Sequence, residues 1–188
     1  MSISLEQQYK TLSLCGIKLR AGLTVEHLMT SIERETFEEE PYTLLLSLMG
    51  RQLPVEPHYY ASDDIWCCDM ECVEDHGDYV RIAERLRDLA AGAFPLENIK
   101  DHVEIDERIA WLSFRLDDKD YKWTASVVDD YVDPQILGQF AQLFADRQTA
   151  KRFTMFDLGG QACLIGCSTP DELAKLADRT QLEFDWLT

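Results

Sequence analysis

The sequence predicts an α+β fold, a mostly antiparallel sheet built from two ββα units with helices packed on it, preceded by an N-terminal helical segment. Two observations predict it: apolar residues recur at helical spacing before residue 55, and strand, turn, strand and helix patterns follow one another twice after residue 109. We expect a single α+β domain over 1–188, with a helical N-terminal segment (1–55) and a sheet-containing body (62–188).

The length and composition fit one domain with its own core. The chain has 188 residues, of which 46% are hydrophobic. The first ten residues, MSISLEQQYK, lack the basic and apolar regions of a signal peptide, and no apolar run approaches the roughly 18 residues of a membrane span. The sequence therefore predicts a cytoplasmic protein.

The N-terminal segment predicts two helices. In 23–35 the apolar residues have helical spacing and Thr24 suits the N-cap position. In 37–50 Pro41 suits the first position of a helix, the acidic residues before it complement the helix dipole, and Gly50 suits its end.

A dense group of chemically active residues follows between Ile65 and Tyr79. These fifteen positions hold three cysteines, a histidine and five acidic residues, which raises the question of a metal site or a thiol active site. Apolar and polar residues alternate over 65–73, which predicts a strand. Cys68 and Cys72 would then lie roughly 13 Å apart, too far to share a zinc ion. We therefore predict core cysteines with reduced thiols rather than the alternative, a metal site.

The elements on either side of this strand are also predicted. Residues 51–64 contain two prolines and no periodicity, so they predict a loop and the boundary within the chain. After the strand, His76 and Gly77 predict a turn. A helix then begins at the capping residue Asp78 and ends at Gly92.

The second half of the chain contains the two ββα patterns. In the first, IAWLSFRL, a turn at Asp117–Asp120 and YKWTASVV precede a helix with Asp133 as N-cap. In the second, KRFTMFDL, a turn at 159–160 and QACLIGCS precede a helix with a capping box of Thr169 and Glu172. The final LEFDWL predicts one more strand.

No catalytic signature is present. The stretch DLGGQACLIG lacks the lysine of a phosphate-binding loop and the glycine spacing of a dinucleotide site, and IGCSTP is not a nucleophile elbow. The four histidines, at 27, 58, 76 and 102, have no zinc-ligand spacing. We therefore predict no catalytic residue, no cofactor and no metal ligand.

Clustered aspartates leave one enzymatic alternative open. The two groups are Asp117, Asp118 and Asp120, and Asp129, Asp130 and Asp133. Either group suits a hard cation, so a small metal-dependent hydrolase is the alternative function. Turns and helix N-termini, however, favour aspartate for local reasons.

The charge of the chain restricts its partners. There are 18 basic and 35 acidic residues, a net charge of −17, and the acidic residues occur in both halves. Nucleic acids and anionic membranes bind through lysine and arginine, so neither is expected as a direct partner. A basic protein fits better, although an acidic surface also serves solubility alone.

Acidic residues beside tyrosines predict the interface with that partner. Charges steer association, while aromatic side chains supply binding energy. The predicted partner-binding residues are Glu38, Glu39, Glu40, Asp117, Asp118, Asp129, Asp130 and Tyr131.

Four stretches in this order, FEEEPYTLLLSLMG, DIWCCDMECVEDHGDYVRIAERL, VVDDYVDPQIL and GGQACLIGCST, give the chain a resemblance. It resembles the small cytoplasmic immunity-type proteins that accompany bacterial polymorphic toxins and contact-dependent inhibition systems. The resemblance implies a non-enzymatic protein that binds a cognate toxin domain, often a basic nuclease, and occludes its active site. The resemblance does not identify functional residues in this sequence. A regulatory binding module without a toxin partner is a further alternative.

Overall fold

The structure, a computed structural model, describes residues 3–29, 32–54 and 59–188. Within these residues the chain forms six α-helices and seven strands, so the predicted α+β class is confirmed. The helices are α1 (Leu5–Leu14), α2 (Thr36–Glu39), α3 (Thr43–Met49), α4 (Asp78–Leu89), α5 (Pro134–Ala145) and α6 (Pro170–Thr180). The strands are β1 (Ile65–Asp69), β2 (Glu97–Glu104), β3 (Ile109–Leu116), β4 (Lys119–Ala125), β5 (Arg152–Asp157), β6 (Ala162–Ser168) and β7 (Asp185–Trp186).

The chain divides into two compact units, and the first takes its described residues from 1–68 and 153–186. It contains a four-stranded sheet in the order β1-β6-β5-β7, together with α1, α2, α3 and α6. Helix α1 contacts both α3 and α6, and α6 lies against β6. The fully buried side chains of its core include Leu5, Leu12, Phe37, Leu45, Leu46, Met49 and Leu164.

The second unit contains 69–152 and 187–188. Its three-stranded sheet has the order β2-β3-β4 and is antiparallel throughout. Helix α4 packs against β2 and α5 packs against β4. The rings of Phe94, Phe114 and Phe140 form part of the core, since the Phe140 centroid lies 6.1 Å from that of Phe94 and 5.3 Å from that of Phe114.

Both predicted ββα patterns are present, and they contribute to different sheets. The pattern of β3, β4 and α5 lies in the second compact unit, and the pattern of β5, β6 and α6 lies in the first. The predicted caps of α5 and α6 are confirmed. The Asp133 carboxylate accepts from Gln135 N at 2.9 Å. Thr169 Oγ1 accepts from Glu172 N at 3.2 Å, and Glu172 Oε2 accepts in return from Thr169 N at 2.8 Å.

The predicted N-terminal helices differ in extent from the observed ones. The first is a single 3-10 turn, Val25–Leu28, and Thr30 and Ser31 lie outside the described residues. The second, α3, begins at Thr43 rather than at Pro41. The reason is Tyr42, whose φ of 74° is left-handed and interrupts the helical backbone directly after the proline.

Three elements of the structure were not predicted: α1, α2 and β2. In the predicted loop over 51–64, residues 55–58 lie outside the described part, and a bridge between Gln52 and Tyr60 joins its flanks. The single domain over 1–188 stays a prediction. Among the described helices, none combines the length and the apolar character that crossing a bilayer requires.

Candidate functional site

Four residues between β4 and α5, Val128–Tyr131, form a tight turn that we call the acidic turn. Tyr131 N donates to Val128 O at 3.1 Å, which closes the turn. Asp129 has a φ of 49°, in the left-handed region that aspartate tolerates better than most residues. The closing hydrogen bond and the residue type at position 129 therefore both favour this turn.

The acidic turn is held by the segment that follows β1. Val73 N donates to Asp130 O at 2.9 Å, and Val132 N donates to Met70 O at 2.7 Å. Glu71 and Tyr131 form an isolated antiparallel bridge in the same place. Backbone bonds on both sides of Tyr131 therefore fix the turn before any partner arrives.

Asp133 supports the acidic turn from its C-terminal side. Its buried carboxylate accepts from Ser126 N at 2.7 Å in addition to capping α5. Its own N–H donates to the hydroxyl of the buried Tyr79 at 3.1 Å. Burial raises the pKa of Tyr79 above its ordinary value, although the Asp133 N–H opposes this shift. The phenol stays neutral and keeps the turn anchored to α4.

The acidic turn presents apolar and acidic side chains to solvent together. Val128 is 63% exposed and Tyr131 is 40% exposed, two of the few large hydrophobic residues that are exposed in the described part of the chain. Asp129 between them is exposed and Asp130 is half-buried. An aromatic and an aliphatic side chain flanking two carboxylates on a fixed backbone is the composition of a protein interface.

The other predicted aspartates lie elsewhere in the same unit. Asp117 and Asp118 are the two central residues of the β3–β4 hairpin, and both have positive φ, as a type I′ turn requires. Because β4 separates this hairpin from the acidic turn, the two pairs of aspartates lie roughly 20 Å apart. They do not form one acidic patch.

Two carboxylates in and beside that hairpin, Asp117 and Asp120, have arginine partners. Asp117 forms an ion pair with Arg147, and Asp120 accepts from Arg115 Nε at 2.9 Å. The Arg115 guanidinium lowers the pKa of Asp120. Both carboxylates are therefore engaged in ion pairs rather than arranged around a common point.

The predicted glutamates belong to the first unit. Glu38 and Glu39 lie within a separate short helix, α2, and Glu40 is its C-cap, whereas the prediction placed all three directly before a helix that starts at Pro41. Glu39 and Glu40 are exposed and Glu38 is half-buried. They form an exposed acidic segment separate in the chain from the acidic turn.

The cysteine-rich stretch is a short strand, as predicted, but it ends at Asp69 rather than at Val73. The Asp69 carboxylate accepts from Glu71 N at 3.0 Å, and this Asx turn diverts the backbone from the strand. All six cysteines are free thiols. Cys68 is fully buried, in accord with the predicted core role.

A cluster of metal-ligand type was not predicted: His76, His102 and Glu104. One potential ligand atom from each lies within 4.8 Å of the others. Spacing in the sequence could not reveal it, because His76 lies in the loop before α4 while the other two lie on β2. The available signal was His102-x-Glu104 within a strand, which places both side chains on one face.

The four stretches that carry the immunity-type resemblance include all of α3, β1 and β6, most of α2 and α4, and the acidic turn. Comparisons of the chain with models of protein families, with curated proteins and with solved structures found no match. The immunity-type assignment therefore stays a prediction, and the chain's own geometry supplies the support for a function.

Proposed function

We propose that the chain is a cytoplasmic immunity-type protein that binds a basic toxin domain, a nuclease, and occludes it. The acidic turn is the observation that carries this proposal. It combines exposed Val128 and Tyr131 with Asp129 and Asp130 on a backbone fixed at both ends. Such a surface binds without ordering a loop first, which spares the entropy that a flexible segment loses on association.

The two kinds of side chain in the acidic turn have different tasks. Tyr131 is the aromatic anchor, since truncation of such residues at interface centres costs about 2 kcal/mol or more. Asp129 and Asp130 occupy the place that substrate phosphates take in a basic cleft. The net charge of −17 accelerates the encounter with a cationic partner over distances beyond direct contact.

The hydrolase alternative has less support from the same residues. Among its candidate carboxylates, Asp117 and Asp120 are in ion pairs with arginines, and Asp133 accepts from backbone N–H groups. A metal-dependent hydrolase needs carboxylates that converge on an open cleft. No specific observation favours a regulatory module over an inhibitor, so the inhibitor is the function proposed.

The test begins with the partner that the chain captures in its native host, identified by mass spectrometry and then produced alone in a laboratory strain. We expect the partner to arrest growth and the wild-type chain to restore it. Tyr131→Ala should weaken binding about 30-fold and reduce protection. The paired change Asp129→Asn with Asp130→Asn should also reduce protection. Asparagine is chosen because it tolerates the left-handed backbone of residue 129.

A matched control separates the acidic turn from bulk charge. Asp106→Asn with Glu107→Gln removes the same two charges from the exposed turn between β2 and β3, and protection should persist. A captured partner that does not affect growth would overturn the toxin assignment. Full protection by the Tyr131 and Asp129/Asp130 variants would overturn the interface.

A further inference from the structure

We propose that His76, His102 and Glu104 form a binding site for a divalent transition metal of the zinc class. Two imidazoles and one carboxylate are the donor set that suits Zn²⁺ and its neighbours, whereas Mg²⁺ and Ca²⁺ prefer oxygen donors alone. The site lies entirely within the second unit and involves none of the residues of the acidic turn. It is independent of the proposed function.

The distances allow coordination after small side-chain movements. The potential ligand atoms lie within 4.8 Å of one another, and the two imidazole centroids are 4.7 Å apart at an angle of 66°. In a tetrahedral site with bonds near 2.1 Å, ligand atoms are about 3.4 Å apart. His76 and Glu104 are exposed, so their side chains have room to close the difference of roughly 1.4 Å.

The backbone around the site is already fixed by Asp101, which precedes His102 on β2. Its carboxylate accepts from Gly77 N at 2.7 Å and from Val80 N at 3.2 Å. The Asp101 carboxylate thereby connects β2 to the first turn of α4 and to Gly77, the residue that follows His76. Asp78 does not cap α4 as predicted. Its carboxylate instead accepts from the N–H groups of residues 74 and 75, which holds the approach to His76.

Each histidine ring is positioned by a neighbour. His76 Nδ1 lies 3.1 Å from an Asp75 carboxylate oxygen, an arrangement that orients the ring and leaves Nε2 for a metal. The His102 ring stacks on Trp111 of β3 at 5.8 Å and 15°. A carboxylate that orients a histidine from outside the ligand set is a recurrent feature of zinc sites.

The face of β2 completes the donor set. His102 and Glu104 are two residues apart in one strand, so both side chains project from the same face. With His76 they supply three protein ligands, which leaves one tetrahedral position for water. Lys122 Nζ lies 4.2 Å from the centroid of the Trp111 ring, the same ring that stacks on His102.

The test is titration of the purified full chain with Zn²⁺ by calorimetry and with Co²⁺ by absorption spectroscopy. We expect one site, a higher melting temperature with Zn²⁺, and a change in indole fluorescence that is lost in Trp111→Phe. His76→Ala, His102→Ala and Glu104→Gln should each weaken binding about 100-fold or more, and Asp75→Asn about 10-fold. Circular dichroism checks that these variants fold.

Controls distinguish this site from other zinc ligands of the chain. His27→Ala removes a histidine that caps the 3-10 turn in the other unit and should leave zinc binding unchanged. Cys67→Ser with Cys72→Ser removes the two half-buried thiols and should also leave it unchanged. Absence of zinc binding by the wild-type chain, or binding that the cysteine variant alone abolishes, would overturn the proposal.

Discussion

Alanine in place of Gly50 is expected to destabilise the first unit by about 4 kcal/mol. Gly50 ends α3 at the point where the helix backbone meets β1. An added Cβ would lie 2.3 Å from Cys67 N and 2.8 Å from Trp66 C. Both are backbone atoms that no rotamer change can move, and normal contacts between such atoms are about 3.5 Å.

Relief of that overlap would also break a hydrogen bond. Cys67 N donates to Gly50 O at 3.0 Å, so moving α3 away from β1 removes the bond that joins them. Chemical denaturation and thermal melting of the two proteins measure the effect. Arg51→Ala, at the exposed next position, is the control and should change stability by less than about 0.5 kcal/mol. A Gly50→Ala protein as stable as this control would refute the close approach.

Glutamate in place of Gln8 is expected to cost about 4 kcal/mol at neutral pH. Gln8 is fully buried on α1. Its Nε2 donates to Ile3 O at 2.9 Å and to Phe37 O at 2.7 Å, and its Oε1 accepts from Tyr42 N at 2.9 Å. A carboxylate lacks both donors and brings a negative charge against two carbonyl oxygens.

The pH dependence of the Gln8→Glu protein provides a second readout. Burial beside carbonyl oxygens raises the pKa of the introduced carboxyl, so the folded state favours its neutral form. The excess loss of stability is then greatest above the raised folded pKa, shrinks as the pH falls from there toward the unfolded pKa of about 4.3, and is absent below it. Gln7→Glu, one residue earlier and exposed, is the matched control, and it should leave the free energy of unfolding unchanged. Equal stability of the two variants at neutral pH would contradict the assigned role of Gln8.

Local signals made the two ββα patterns, over 109–145 and 152–180, predictable. Asp133 before Pro134, and Thr169 three residues before Glu172, cap α5 and α6 through atoms of their own neighbourhood. The hairpin at Asp117 and Asp118 likewise depends on two adjacent residues that accept positive φ. Caps and turns of this kind can be predicted from neighbouring residues alone.

Elements whose residues serve distant contacts were missed. Helix α1 buries Gln8 and Thr11 beside its leucines, so polar residues on the buried face obscure its apolar period. Gln8 is buried because its amide binds the backbone of residues 37 and 42, which the local sequence does not reveal. The histidine cluster is similar, since it forms only when the loop before α4 meets β2.

The candidate site was predicted in part. Asp129, Asp130 and Tyr131 were selected from their types, and the structure places them in one exposed turn. Its anchoring through Met70 and Val73 depends on long-range backbone pairing that periodicity does not encode. Asp117 and Asp118 were selected for the same reasons but lie at the opposite end of β4.

The association rate of the wild-type chain with its purified partner, measured by stopped flow at increasing salt, tests the proposed function most directly. We predict at least a tenfold fall in that rate between about 0.05 and 0.5 M salt, with little change in dissociation. Asp129→Asn with Asp130→Asn should slow association at low salt more than Asp106→Asn with Glu107→Gln does. A rate that is independent of salt and equal in both variants would contradict electrostatic docking through the acidic turn.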